Sequence, residues 1–292
     1  MKIGVLKFVS ILFFSLFLLG AVVFYQRTKF YDGKLHVVFC NVGQGDGIFI
    51  RTPKGLDILV DGGPDDKILS CLSNHMPFWD RTLELVILSH PHLDHFVGLV
   101  SVVKRYTVLS FVTEKLNNKT SSYSELQKEI QKSNIPTRYV FAGDQFIIND
   151  GVALKILGPT EEFLKSSSPH ELIGESKEFA SLETLISYGL FSTLLTGDSQ
   201  TIELSQAVNI INKSVKVLQI PHHGSKFGTD SLVIEKLNPS LAVISVGAKN
   251  RYGHPAPQVL EILRNKDIKI LRTDQNGEVE IVSDGKEFGI RR

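Results

Sequence analysis

The chain opens on an apolar block and then breaks into short alternating runs. Positions 8–25 carry no charge. At about 18 residues this run approaches the ~20 that cross a bilayer and exceeds the ~7–15 of a signal-peptide core. Lys2 and Lys7 precede it, and Arg27, Lys29 and Lys34 follow it. No small-x-small cleavage site is present, because Gly20 and Ala21 are trailed by Val22, Val23 and Phe24. Residues 1–34 are therefore expected to form an uncleaved membrane anchor, separate from the fold, with secretion after signal cleavage as the alternative. The flanking basic residues tie. A short tail is more easily left inside than a domain is held back, which favours a domain outside the cytoplasmic membrane.

From residue 35 the pattern turns to strands. The runs 35–39, 47–52 and 57–60 are β-branched or aromatic and separated by Gly, Pro and Asn, as in an antiparallel meander. The apolar run 85–88 reads as a buried strand, followed by a polar loop and a helix near 96–105. A strand near 108–113 comes next. Ser122, with Glu125 three residues on, predicts a helix that ends before Pro136. Strands follow at 137–141, 145–148 and 152–157, the last two joined through Asn149-Asp150-Gly151, a hairpin signal. Residues 160–180 read as a short helix and then a mobile insertion near the site, with His170 solvated. A second block predicts strands 182–187, 191–196, 215–220, 241–246 and 268–272, helices 200–211 and 257–265, and two closing strands around Gly277 and Gly285. The fold class is α/β, with strands that deliver polar residues at their ends in both halves.

At 292 residues, 42% hydrophobic and 22% charged, the chain can bury one large core or two small ones. The net charge of +1 gives no bulk attraction to nucleic acid, so a polyanionic substrate would have to be held locally. Cys40 and Cys71 make neither a disulfide framework nor a zinc ribbon. Cys40, on a core strand, is read as a buried free thiol, and a Cys40 to Cys71 bridge stays open for an exported domain.

The chemistry concentrates in LVILSHPHLDHFVG, residues 85–98. Three of the nine histidines, His90, His92 and His95, stand here with Asp94, directly after the buried strand. Imidazole and carboxylate suit divalent zinc or manganese, and positions i, i+2, i+4 and i+5 leaving one strand end can converge on two adjacent ions. A structural zinc clip is disfavoured because such sites are usually cysteine-rich. Asp198, alone, could equally cap the following helix. Adjacent residues of extended chain project to opposite sides, so only one of His222 and His223 can join the cluster.

HPHLDH resembles the HxHxDH motif of the metallo-β-lactamase superfamily. Further stretches are similar, in the same order, to the branch formed by the C-terminal domain of the competence protein ComEC. These are NVGQGD (41–46), ILVDGG (58–63), LLTGD (194–198), PHHGS (221–225), ISVG (244–247) and RYGHP (251–255), covering about 35–292. The resemblance implies a metallo-β-lactamase αββα sandwich at 35–292, with the site at one edge, and the run 8–25 places a single transmembrane helix before it. It implies two divalent ions, Zn2+ or Mn2+, sharing a hydroxide. His90 and His92 would hold the first ion, Asp94, His95 and His223 the second, and Asp198 would bridge them. His222, His254 and Asp94 would form the catalytic set, with His254 contacting a phosphate or protonating a leaving oxygen. Gln44, Asp46, Ser181, Ser225, Lys226 and Arg251 would line the substrate side, and Lys249 could hold phosphate nearby.

The chain departs from the pattern in places. No histidine precedes Asp198 where many superfamily members have one; Ser181 stands near that place. His92 and Asn41 occupy positions where the competence branch often has aspartate. The implied function is a metal-dependent phosphodiesterase or DNase, acting on a phosphodiester with DNA among the candidates. Hydrolysis of a carbon ester, lactone or β-lactam is the alternative. A non-catalytic binding module is a third, disfavoured by the intact donors. With 8–25 as the sole membrane-length run, uptake through a channel is not the expected activity.

Overall fold

The structure, a computed structural model, describes residues 2–175, 180–211 and 214–291, with side chains from residue 7 onward. Residues 176–179, within the expected insertion, lie outside the described residues.

Two sheets face each other. Across the first run Phe288–Arg291, Val279–Ser283, Leu35–Phe39, Ile48–Arg51, Asp57–Val60, Leu85–Leu88, Phe111–Thr113 and Thr137–Tyr139. Across the second run Lys269–Arg272, Leu241–Ile244, Val217–Gln219, Phe191–Leu195, Glu183–Tyr188, Val152–Gly158 and Gln145–Ile147. Alternation explains the packing. Val37, Ile50 and Ile87 of the first sheet share one buried cluster with Leu154, Ile186, Val217 and Val243 of the second. Val38, Phe49 and Leu88 point the other way, onto Phe96 and Leu99 of helix Leu93–Arg105. On the far side, Leu218 and Ala242 meet Leu204 of helix Thr201–Asn209 and Val259 of helix Pro257–Asn265. Strands covered on both faces are buried at every position, as Leu35–Phe39 and Leu85–Leu88 are. The expected αββα sandwich is the one observed.

Several local expectations need correction. Helix Lys67–His75 and helix Ser231–Leu237 had no sequence expectation. The second is capped by Asp230, whose side chain accepts from Val233 N–H. The predicted strand 108–113 divides: Thr107–Val108 joins a separate two-stranded sheet, and Phe111–Thr113 joins the first sheet. The cap of helix Ser121–Lys132 is Thr120, accepting from Tyr123 N–H, and not Ser122. The short helix expected after 160 is present as Glu161–Ser167, and exposed His170 pairs with Glu175 at 2.7 Å.

The cysteines also differ from expectation. Cys40 follows its strand and is disulfide-bonded to Cys71 of helix Lys67–His75, with Cα atoms 5.8 Å apart. The helix that no pattern announced is what brings the two together. The anchor is likewise less separate than expected. Helix Lys2–Phe30 ends with Phe30 buried against the domain, and Tyr31 packs on Gly55.

The bridge closes a loop with a sequence separation of 31 residues. In the chain-entropy account such a loop contributes about 3–4 kcal/mol. We expect Cys40→Ser/Cys71→Ser to lower the denaturation midpoint, with the stability loss read from urea unfolding. Equal stability of the reduced and oxidised protein would refute this.

Candidate metal centre

The parallel strands Asp57–Val60, Leu85–Leu88, Phe191–Leu195, Val217–Gln219 and Leu241–Ile244 end at one edge of the sandwich. The loops that follow them build the site. This is where an open α/β arrangement leaves backbone and side chains free to meet a ligand.

Leu85–Leu88 gives way to Ser89, and His90, Pro91 and His92 precede helix Leu93–Arg105. The single polar loop expected for the motif is corrected here, because Asp94 and His95 occupy the first helical turn with His92 at its N-cap. Neighbours in a helix diverge by about 100°. Asp94 accordingly faces the cleft, its side chain about one-third exposed, while His95 is fully buried. Two glycines permit this placement. A Cβ on Gly45 would lie 2.2 Å from the Asp94 carbonyl oxygen, and one on Gly98 would lie 2.0 Å from that of Gly62.

From the second sheet come Asp198 and the pair His222 and His223. The Asp198 carboxylate is buried and does not cap helix Thr201–Asn209, whose N-cap is Gln200. His223 Nε2 lies 3.5 Å from Asp198 Oδ1 and 3.3 Å from Asp94 Oδ2. His95 Nε2 lies 3.3 Å from the same Asp198 oxygen. On the other side, His90 Nε2 is 3.7 Å from Asp198 Oδ2 and 2.9 Å from His92 Nδ1. Two donor groups result, Asp94, His95, Asp198 and His223 in one and His90, His92 and Asp198 in the other, with Asp198 common to both.

His222 and His223 differ in burial, though not through the alternation of extended chain. Neither is extended; both have positive φ, 50° and 56°, within a 3-10 turn. His223 is buried, whereas His222 faces the cleft with its ring centroid 5.8 Å from that of His254.

The residues behind the donors set their tautomers. Asp61 accepts from His95 Nδ1 at 2.8 Å, and the Ser245 carbonyl accepts from His223 Nδ1 at 3.0 Å. Both imidazoles thereby turn Nε2 toward Asp198. His95 Nε2, His223 Nε2 and Asp198 Oδ1 are buried without a hydrogen-bond partner. Each such orphan costs about 1–3 kcal/mol, and one cation satisfies all three. The electrostatics agree. Burial opposes charge on His95 and His223, yet the Asp198 carboxylate overrides it, holding His95 well above its usual range and His223 at about 9. The same imidazoles hold Asp198 well below the carboxylate range against burial. A field that draws protons onto two buried imidazoles is one that a divalent cation would occupy. The residues present fit a metal pair.

Four residues expected on the substrate side lie elsewhere. Asp46 is buried, accepts from Gln219 Nε2 at 2.7 Å and faces His95 and His223 from behind, where burial pushes it up to about 6. Ser181 is fully buried, its Oγ accepting from Asp198 N–H at 3.2 Å and 3.4 Å from His90 Nδ1. Ser225 is buried and accepts from Phe227 N–H. Lys226 lies outside the cleft lining, over the Phe227 ring. Gln44 and Arg251 do line the cleft, which measures about 700 Å³. Asn118 and Thr120, which also line it, escaped sequence reasoning, as did Asp61 and Gln219 in their orienting roles. Asp61 stood in the quoted ILVDGG, but nothing in its spacing named its partner.

No family model matches the chain. It is 28% identical over 273 residues to the ComE operon protein 3 of Bacillus subtilis, covering 85% of this chain and 33% of that one. It is 27% identical over 245 residues to the Recombination protein 2 of Haemophilus influenzae, covering 82% and 28%. The chain thus spans about a third of the length of these curated relatives. Among solved structures, the metallo-β-lactamase fold protein YhfI of Bacillus subtilis superposes with a TM-score of 0.57 at 13% identity, over 84% of this chain and 99% of that one. The protein has the metallo-β-lactamase fold, with the donor arrangement of a metal-dependent hydrolase. It is also similar, at 24% identity over 91% of this chain and 35% of that one, to the competence protein ComA of Neisseria gonorrhoeae.

We expect the full chain to bind two divalent ions, with His95→Ala retaining one and Asp198→Ala neither. Asp61→Ala should weaken binding by about 10–100-fold through loss of imidazole orientation. Metal content by mass spectrometry decides, and two ions retained in Asp198→Ala would exclude a bridge.

Proposed function

We propose that the protein is a membrane-anchored, metal-dependent phosphodiesterase, with Zn2+ or Mn2+ as its ions and DNA among its candidate substrates. The observation that carries this is the cleft wall. The lining joins the acidic Asp94 and Asp198 to His222, His254, Lys249 and Arg251, and to the neutral donors Asn118 and Thr120. Cations and neutral donors beside metal-competent carboxylates suit a phosphoryl group, whose charge a carbon ester lacks. The net charge of +1 leaves such a substrate to be held by this wall alone. The name of one relative, a recombination protein, draws the substrate class toward polynucleotides.

Two divalent ions bound there would supply an activated water and stabilise the charge that develops on oxygen. The protein's own residues do the rest. Asn250 Nδ2 donates to the His254 carbonyl at 2.7 Å, and His254 N–H donates to Asn250 Oδ1 at 3.0 Å, so the loop presents His254 rigidly. Burial, then His222 and His223, lower the His254 pKa. Its imidazole is neutral in the free cleft, and a bound phosphodiester anion draws a proton onto it for the leaving oxygen. His222 takes the neighbouring position, its Nε2 3.6 Å from Asp198 Oδ2.

His222→Ala and His254→Ala should keep their metal while kcat on DNA or an alkyl phosphodiester falls by about 100- to 10,000-fold. Metal lost from His222→Ala but kept in His223→Ala would reverse the roles of that pair. Rapid cleavage of nitrocefin or a lactone, with no phosphodiesterase activity, would overturn the reading.

For location, the helix spanning Lys7–Phe30 is apolar enough to cross a bilayer, and the Cys40–Cys71 bridge suits an oxidising compartment. The bridge favours the outer side, where the basic flanks tied. Protease added to intact cells should digest the domain, and its protection would place the domain inside.

A further inference from the structure

Two large aromatic side chains, Phe78 and Trp79, stand exposed side by side on one turn. Asp80 N–H donates to the Pro77 carbonyl at 2.9 Å, closing a tight turn with Phe78 and Trp79 at its corners. They are 54% and 41% exposed and pack edge to face at 4.9 Å. Such corners ordinarily carry Gly, Asn, Asp or Ser, so a paired aromatic tip calls for a covering surface.

The neighbours of this turn say what the surface is. Trp79 stands beside the side chain of Tyr31, the residue directly after helix Lys2–Phe30. Asp80 pairs with Arg51 at 3.5 Å, and the same guanidinium lies 5.6 Å from the Phe30 ring and 5.2 Å from the Tyr31 ring. Arg51 is itself buried and held by both oxygens of Asp57. One buried arginine therefore ties the turn to the end of the apolar helix. The apolar stretch Lys7–Phe30 counts 24 residues. At ~1.5 Å per residue it measures ~36 Å, against ~30 Å for a hydrocarbon core and ~40–45 Å with the headgroups. Its end falls in the headgroup layer. There Trp and Tyr, with an apolar body and a polar tip, are favoured.

We propose that the Phe78 and Trp79 turn is a second membrane contact, seated in the interfacial layer of the lipid bilayer beside the helix. Tyr31, 39% exposed, extends the same aromatic surface. Strand Leu35–Phe39 starts at this face and leads away from it toward the loop of Gln44 and Asp46. At ~3.3 Å per residue the strand spans about 15 Å, so a turn seated at its start leaves the metal cleft at its far end.

The inference rests on the reading of the helix as a membrane span, and the test separates the two. Trp79 is the sole tryptophan of the chain, so its fluorescence reports the turn alone. The full chain is reconstituted in vesicles of phosphatidylcholine and phosphatidylglycerol, with and without acyl chains brominated near the headgroup. Trp79 emission should be blue-shifted and quenched about twofold or more by the brominated lipid, as expected for an interfacial tryptophan. Phe78→Ser, which keeps the reporter, should weaken that quenching. Chain that floats with the vesicles yet emits equally in both lipids overturns the contact and leaves the span standing. Chain that does not float overturns both. Blue-shifted emission without bromine quenching indicates a protein covering the turn and also overturns the proposal.

Discussion

Asp198 is a carboxylate sealed among imidazoles, and the organisation of the domain turns on it. Its two oxygens face separate donor groups, His95 and His223 on one side and His90 on the other. No single element could arrange this, since the donors of the first group come from both sheets. The facing sheets, the close approach at Gly45 and Gly98 and the buried partners of each imidazole all serve to bring opposed loop ends within about 4 Å. Removed from water, that cluster is costly without a counter-charge.

The fold was legible where a pattern had one cause. Strands Leu35–Phe39, Asp57–Val60 and Leu85–Leu88 match their expected bounds because β-branched runs between turn residues leave little choice. Helix Lys67–His75 was not legible: its polar positions, Lys67, Ser70, Ser73 and Asn74, read as loop, and its face is fixed by contact with distant residues. The disulfide was hidden with it. Of the site, the motif histidines and Asp198 were visible as residue types, but the layer behind them was not. Asp61, Gln219 and the Ser245 carbonyl act through hydrogen bonds between segments far apart in sequence, and no local spacing records such pairings. Asp46 and Ser181 were visible yet misplaced for the same reason: a motif names a residue without saying which side of the donors it stands on.

The domain has two ends with different chemistry. At one end, loops after parallel strands carry histidine, aspartate and a few cations around an aqueous cleft. At the other, Arg51 gathers Asp57, Asp80 and three aromatic rings, those of Phe30, Tyr31 and Phe49, into a compact knot. A buried guanidinium suits that place because its planar face stacks on rings while its edge satisfies carboxylates, which an ammonium does not do.

The first sheet is not closed by the first half of the chain. Leu35–Phe39 pairs on one side with Ile48–Arg51, its neighbour in sequence, and on the other with Val279–Ser283, more than two hundred residues later. During synthesis, then, the earliest strand waits with one edge unpaired while nearly the whole domain is made. An apolar strand edge left open so long invites pairing with other chains, and a contact this distant in sequence is slow to form. The last strands to emerge therefore complete the part of the sandwich that began it, and a chain cut short before Val279 would carry its donors on a sheet that never closed.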